Sequence, residues 1–311
     1  MTSSILGLGH YLPAEVERVG VRRPIAVEEV GPSTLAARAS APALQQAGLA
    51  ADAVDFIVFA TMTPDVTFPG AGCYLQHHLG CGTVGAVDVR AQCAGFLQGL
   101  LIADQFVRAG TYKHVLVAGA EVHSSGLDYS ERGAAVSRLF GDGAGVAMIG
   151  NGSGPGGIRS VVMHCDGSRY DRFWCETPAS RQHPLRMTVQ NFRDGTHFPA
   201  IDFDAVRRFG LESLPAVARE ALAGAKVTAD QVDHFIISHI MPDVGEHAGS
   251  ALQVPPSRLS IPSARHGHLS AAALPVTLSE LVAGGQLGAG ATVCLAASGA
   301  GFAWGAAVLT L

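Results

Sequence analysis

The sequence predicts an α/β protein made of two duplicated halves, each with parallel strands and crossover helices. Three observations carry that prediction. Leu35–Asp65 (LAARASAPALQQAGLAADAVDFIVFATMTPD) and Leu214–Asp243 (LPAVAREALAGAKVTADQVDHFIISHIMPD) share one order: a helical segment, a polar link, an Asp, an apolar strand, then Met-x-Pro-Asp or Met-Pro-Asp. Asp55 and Asp233 lie 178 residues apart, and Val115 and Val293, in the runs HVLVAGA and TVCLAAS, are separated by 178 again. An equal offset at two distant points means copies in register, and a repeat of this length means paired domains instead of a solenoid. Within each half, short apolar runs alternate with helical patterns, which calls for parallel strands joined by helices on the sheet faces.

Taken in order, strands are expected near 54–61, 84–89, 114–120 and 143–149, and again near 233–239, 258–265, 291–297 and 302–310. Helices are expected near 33–48, 70–79, 94–109, 203–223, 244–252 and 270–283. Phe56–Ala60 and Val115–Ala120 are apolar runs of strand length. Val84–Val89 is another such run, and beyond it a helical pattern opens at Ala94-Gly95-Phe96-Leu97. Each half closes with a glycine-rich turn feeding an apolar strand, FGDGAGVAMIG at 140–150 and SGAGFAWGAAVLTL at 298–311. Asn151–Pro199, rich in Gly, Ser, Pro and Arg, is read as strands plus loops covering a cleft. The division falls between residues 155 and 156, with the nucleophile in 1–155 and the histidines in 156–311.

Composition narrows the function. A chain of 311 residues, 48% apolar and 15% charged with 38 glycines, can bury a large core and is not disordered. A formal charge of −5 without a long basic run argues against nucleic acid. The apolar runs are too short to cross a membrane. Met1–Gly9 lacks a basic leader, and six cysteines without a CxxC pair suit a reducing compartment, so a cytoplasmic location is expected.

Cys93 is the candidate nucleophile. At a strand–helix junction, free N–H groups and the helix dipole would favour thiolate and could hold an oxyanion. The offset of 178 maps Cys93 onto Ala271 and Thr61 onto His239, and His268 precedes the second position by three residues. Cys93, His239 and His268 are therefore expected at C-terminal strand ends that converge by pseudo-twofold symmetry, where open α/β sheets bind ligands. A thiolate could accept an acyl group while imidazoles stabilise charge in a second step. Gly299-Ala300-Gly301 could bring a backbone N–H close to a carbonyl oxygen. His266 and His268, at i and i+2 of an expected extended segment, could ligate a metal, but no further ligand is spaced nearby. His266 would point to the opposite face and is read as structural.

The stretches VDVRAQCAGFLQGLLIADQFVRAG, LFGDGAGVAMIG, ARHGHLSAAALP and GAGFAWGAAVL resemble 3-oxoacyl-acyl-carrier-protein synthase III, from about Ser33 onward. The resemblance implies a thiolase-like fold of two βαβαβαββ halves in five α-β-α-β-α layers, and a homodimer with a Cys-His-Asn triad. It makes Cys93 the acyl acceptor, His239 the first partner, and the N–H groups of Cys93 and Ala300 the oxyanion hole. Phe68 matches the residue that walls the neighbouring subunit's acyl pocket, and Arg132 matches one side of the clamp on the adenine of coenzyme A. Four departures stand out: His268 replaces the triad Asn, Ser238-His239-Ile240-Met241-Pro242 replaces Pro-His-Gln-Ala-Asn, Val244 replaces a carrier-docking arginine, and the segment bearing the other side of the clamp is missing before Ser33.

The expected reaction is transfer of an acyl group from a thioester to Cys93, then decarboxylative Claisen condensation with a malonyl-type thioester in a specialised fatty-acid or polyketide-type pathway. Acyl-CoA and acyl carrier protein are the expected partners, and no cofactor is expected. The alternatives are a non-decarboxylating acyltransferase forming an ester or amide, and a non-catalytic partner subunit of a condensing enzyme. A simple cysteine hydrolase is less favoured, since no carboxylate or amide is evident to orient a single histidine.

Overall fold

In this computed structural model residues 2–152 and 156–311 are described. The expected division at 155/156 abuts residues 153–155, which lie outside the described residues. Up to that gap the chain forms β1 (Ser3–Tyr11), β2 (Glu15–Arg18), β3 (Val21–Pro24), α1 (Pro32–Ala47), β4 (Phe56–Ala60), α2 (Ala71–Leu79), β5 (Gly85–Val89), α3 (Gly95–Arg108), β6 (His114–Glu121), α4 (Ala134–Ser137) and β7 (Gly143–Asn151). Beyond it come β8 (Gly157–Cys165), β9 (Phe173–Trp174), α5 (Val189–Asp194), β10 (Ala200–Ile201), α6 (Phe203–Ala225), β11 (His234–Ser238), α7 (Pro242–Ala251), β12 (Leu259–Ser260), α8 (Pro262–His266), α9 (Ala273–Ala283), β13 (Thr292–Gly299) and β14 (Ala303–Thr310).

Two five-stranded sheets result, ordered β1-β7-β6-β4-β5 and β8-β14-β13-β11-β12. They are the same sheet twice. In each, the central parallel strands carry the crossover helices, and the last two strands run antiparallel to their neighbours. Pairing register reproduces the sequence offset: Phe56 faces Val115 as His234 faces Val293. The same side chain locks both registers. Asp55 accepts from the N–H groups of Lys113 at 2.8 Å and His114 at 3.1 Å, and Asp233 from Thr292 N–H at 2.8 Å.

Alternation of side chains along the strands sorts the apolar residues into three cores, giving the expected five layers. Ile57, Phe59, Leu116 and Met148 pack under α1 and α2. Val58, Val117, Ile236 and Leu295 face inward onto α3 and α9, which fill the centre. Phe235, Ile237 and Cys294 pack under α6 and α7. Val58 and Ile236 are repeat equivalents on the inner face, as Ile57 and Phe235 are on the outer.

The structure corrects two expectations. β1 and β8 were not expected by position, and each edges its sheet. The strand expected over 258–265 stops at Ser260, because Pro262 opens α8 at its first position, where a missing N–H costs nothing. His266 therefore ends a helix instead of lying on an extended segment.

Removing either locking carboxylate strands backbone N–H groups, so Asp55→Ala and Asp233→Ala should each lower unfolding free energy by about 1–3 kcal/mol in urea titrations. Asp55→Ala, which loses two partners, should cost more.

Candidate active site

Cys93 lies in a 3-10 turn (Gln92–Ala94) between β5 and α3. Gln92 has φ +50°, a left-handed conformation that costs a non-glycine residue of order 1 kcal/mol or more. Its repeat equivalent, Ser270, has φ +46° and opens the matching turn before α9. Both halves thus make the same strained turn; one follows it with Cys93, the other with Ala271. The facing strand ends are equivalent too, Gly299 opposite Cys93 and Glu121 opposite Ala271. A Cβ on Gly299 would sit 2.5 Å from Cys93 Sγ, so only glycine admits the thiol. At the other turn, the Glu121 carboxylate accepts from Ala271 N–H at 3.4 Å.

Cys93 Sγ lies 2.9 Å from His268 Nε2 and 3.8 Å from Ser270 Oγ, and all three residues are buried. The N–H groups of Ala300 and of Cys93 itself are directed at the sulfur. Even so, burial pushes the thiol pKa up to about 12, with the Glu121 charge working in the same direction. The helix-start argument for a resting thiolate is therefore overturned: loss of solvation outweighs the nearby N–H donors. Burial also holds His268 well below the ordinary imidazole range, aided by His123 and His239. The resting pair is a neutral thiol and a neutral imidazole.

His239 closes β11 as expected, and its Nδ1 accepts from Met241 N–H at 3.1 Å. Thr61 Oγ1 accepts from Thr63 N–H at 3.1 Å in the equivalent turn. His239 Nδ1 also lies 3.3 Å from the Met241 carbonyl oxygen, and Nε2 faces α6, where a Cβ on Gly210 would come within 2.6 Å. Burial lowers the His239 pKa to about 4. Among the described residues no hydrogen bond joins His239 to Cys93. His268 is not at a strand end; it follows α8 and Gly267 and forms a parallel bridge with Phe140. His266 turns away to Glu280 at 3.0 Å, as a structural residue would.

Ala300 and Gly301, with Met62, Gln92, Tyr170 and Trp174, line a cavity of about 280 Å³ beside the thiol turn. Arg132 lines a second cavity of about 260 Å³, and Trp174 and Pro199 border both. Its guanidinium pairs with Asp128 at 2.8 Å and lies 5.8 Å from the Phe198 ring centre. Phe68 is 80% exposed, away from this chain's own site. Three buried neighbours were not anticipated: Glu121, His123 and Ser270. All three were within reach of the repeat, Glu121, His123 and Ser270 being the equivalents of Gly299, Gly301 and Gln92. No group of three or more metal-ligating side chains occurs among the described residues, and none of their helices is long and apolar enough to cross a membrane.

A duplicated sheet with a thiol turn at the junction of its halves defines a thiolase-fold condensing enzyme, an acyltransferase. The 3-oxoacyl-[acyl-carrier-protein] synthase III description matches residues 87–167, and its C-terminal counterpart matches 222–311. The β-ketoacyl-[acyl-carrier-protein] synthase III of Xanthomonas oryzae pv. oryzae is 36% identical over 329 residues, 99% of this chain and 98% of that one. Among solved structures, the synthase III of Aquifex aeolicus VF5 superposes with TM-score 0.88 at 27% identity, over 99% of this chain and all of that one. The priming β-ketosynthase of the R1128 polyketide pathway gives 0.87 at 29% identity, over all of this chain and 96% of its own. The chain belongs to the 3-oxoacyl-[acyl-carrier-protein] synthase III family.

Gly299→Ala should displace the thiol and slow alkylation of Cys93 at least tenfold, read by peptide mass spectrometry. The pH dependence has a fixed sign. An unfolded His239 protonates near 6.5 but the folded one only near 4, so its contribution is complete above about 6.5 and declines as pH falls toward 4. By pH 5 the loss should reach about 2 kcal/mol, and urea unfolding of His239→Asn should show a flatter pH profile than wild type.

Proposed function

We propose that Cys93 accepts an acyl group from a thioester and that the acyl-enzyme then condenses with a malonyl-type thioester. The observation that carries this reading is the buried thiol between a neutral imidazole at 2.9 Å and two inward N–H groups, beside an open cavity. In the first step sulfur bonds to the thioester carbonyl carbon, the N–H groups of Cys93 and Ala300 hold the oxyanion, and the donor thiol leaves. In the second, the malonyl group loses carbon dioxide, and the resulting enolate attacks the acyl carbon and releases Cys93. Neutral imidazoles suit that step, since each keeps one N–H to donate to the enolate oxygen. His268, whose Nε2 lies 2.9 Å from the Cys93 sulfur, fills that role, while His239 Nε2 is turned to α6.

The donor arrives on coenzyme A or acyl carrier protein. The Arg132 cavity and the Trp174–Pro199 border offer a carrier arm a route to Gln92 and Ala300. A homodimer is proposed on two features: β5 is an exposed edge strand with Val87 open to solvent, and Phe68 projects free. An unpaired edge of this kind invites a second strand. Six free cysteines fit a cytoplasmic location.

The test is incubation with a panel of acyl-CoA and acyl-carrier thioesters, read by intact mass, followed by malonyl thioester with carbon dioxide captured. An adduct on Cys93, absent in Cys93→Ala, together with carbon dioxide release, is the expected result. An adduct without decarboxylation would make the protein a plain acyltransferase, and no adduct from any donor a silent subunit.

A further inference from the structure

We propose that Ser270 and His123 form a proton relay that takes the proton of Cys93 when the thiol attacks an acyl thioester. The proposal rests on the reading of Cys93 as acyl acceptor and adds the route by which its proton leaves.

Hydrogen-bond direction fixes the relay. His123 Nδ1 lies 2.9 Å from the carbonyl oxygen of Gly141, which can only accept, so Nδ1 carries the proton. His123 Nε2 is then a lone pair, 3.1 Å from Ser270 Oγ. The serine hydroxyl also lies 3.3 Å from the Met62 thioether, a far weaker acceptor than an imidazole nitrogen. Its proton therefore goes to His123, which leaves the Ser270 oxygen lone pairs for the Cys93 S–H at 3.8 Å. The chain reads Cys93 S–H to Ser270 O–H to His123 Nε2, with Gly141 anchoring the far nitrogen.

His268 is the nearer imidazole and the worse base. Its Nδ1 is buried with no partner among the described residues, so an imidazolium there would hold an unpaired N–H away from water. His123 as imidazolium would have both N–H groups satisfied, one by Gly141 and one by Ser270. Four polar or charged groups bear on it. The Glu121 carboxylate couples to it favourably, and Asp142, committed to Ala26 and Ser124, lies on the segment after Gly141. His268 is neutral, and Ser270 is uncharged; the Phe140 ring packs at 4.7 Å.

The step balances without any added reagent. The Cys93 S–H bond breaks as a new O–H bond forms on Ser270, and the serine's original proton bonds to His123 Nε2. The sulfur electron pair forms the bond to the acyl carbon, and the bond from that carbon to the donor sulfur breaks. The departing thiolate recovers a proton from His123 by the same path. Ser270 touches the reacting sulfur and is a catalytic residue; His123 acts through it and is a positioning residue.

The experiment is the rate of Cys93 alkylation by iodoacetamide from pH 5.5 to 9.5, in wild type, Ser270→Ala, His123→Asn and His123→Gln. Asn preserves a donor toward Gly141 and Gln a group toward Ser270, and neither is a base, so a purely structural His123 would be rescued by one of them. Wild type, with the base built in beside the thiol, should vary with pH less steeply than the variants. The three variants should be at least tenfold slower at pH 7 and keep rising about tenfold per pH unit. Wild-type rate and profile in Ser270→Ala, or in either His123 variant, would overturn the relay. Alkylation needs no acyl donor, so a reactive Cys93 that accepts no acyl group defeats the proposed function and leaves the relay intact. Acylation at the wild-type rate in Ser270→Ala does the reverse.

Discussion

The contact between Cys93 and Gly299 is the constraint on which the rest of the structure depends. It joins the first residues after β5 to the end of β13, so it exists only when both halves are folded and docked. With a Cβ placed 2.5 Å from the sulfur, there is no margin: the thiol occupies the space a side chain at 299 would need. The strained turn at Gln92 aims Cys93 into that space, and the parallel register of β11 with β13 delivers Gly299 to it. The placement of the Cys93 thiol is thus a property of the interface between the halves and not of either alone.

The same docking removes water, and that sets the electrostatics. Cys294, with burial as the only cause, reaches a pKa of about 12. Cys93 also reaches about 12, because burial outweighs its hydrogen-bond donors, with the Glu121 charge acting in the same direction as burial. Burial pushes the His239 and His268 imidazoles down and the Glu121 carboxyl up, each toward its neutral form. A dry site of neutral donors is poor at making a thiolate and good at holding an oxyanion or enolate, where fixed N–H groups act without solvent competition. Such a site disfavours a standing thiolate, and the proposed relay meets that constraint by coupling proton transfer to attack.

Much of this was legible in the sequence because the duplication is. The offset between Asp55 and Asp233 reappears as strand register, and the same offset links Thr61 to His239 and Gln92 to Ser270. The helical segment of each repeat, expected near 33–48 and 203–223, falls at α1 and α6. What stayed hidden depends on contacts that no repeat encodes. β1 and β8 lie at sheet edges, one ahead of the repeated motif and the other in a stretch read only as strands and loops. The strand expected over 258–265 (RLSIPSAR) is cut short where Pro262 opens a helix, and with it went the picture of His266 and His268 on one extended segment. The dipole argument for Cys93 failed because burial is a tertiary quantity.

The replacement of an amide by His268 acquires a definite meaning in this setting. An amide NH2 is a fixed donor. An imidazole donates from Nε2 only if Nδ1 gives up its proton, and Nδ1 here has no partner among the described residues to decide the matter. Each tautomer leaves Nδ1 unsatisfied, so neither gains a bond at that end, and the balance is set by what Nε2 meets. When the Cys93 S–H points at Ser270, Nε2–H donates to sulfur; after acylation the same N–H remains available to an enolate oxygen. If the thiol proton pointed at His268 instead, that donor would be lost at the moment the second step requires it. In the proposed relay, a separate outlet for the thiol proton leaves His268 free to donate as an amide would.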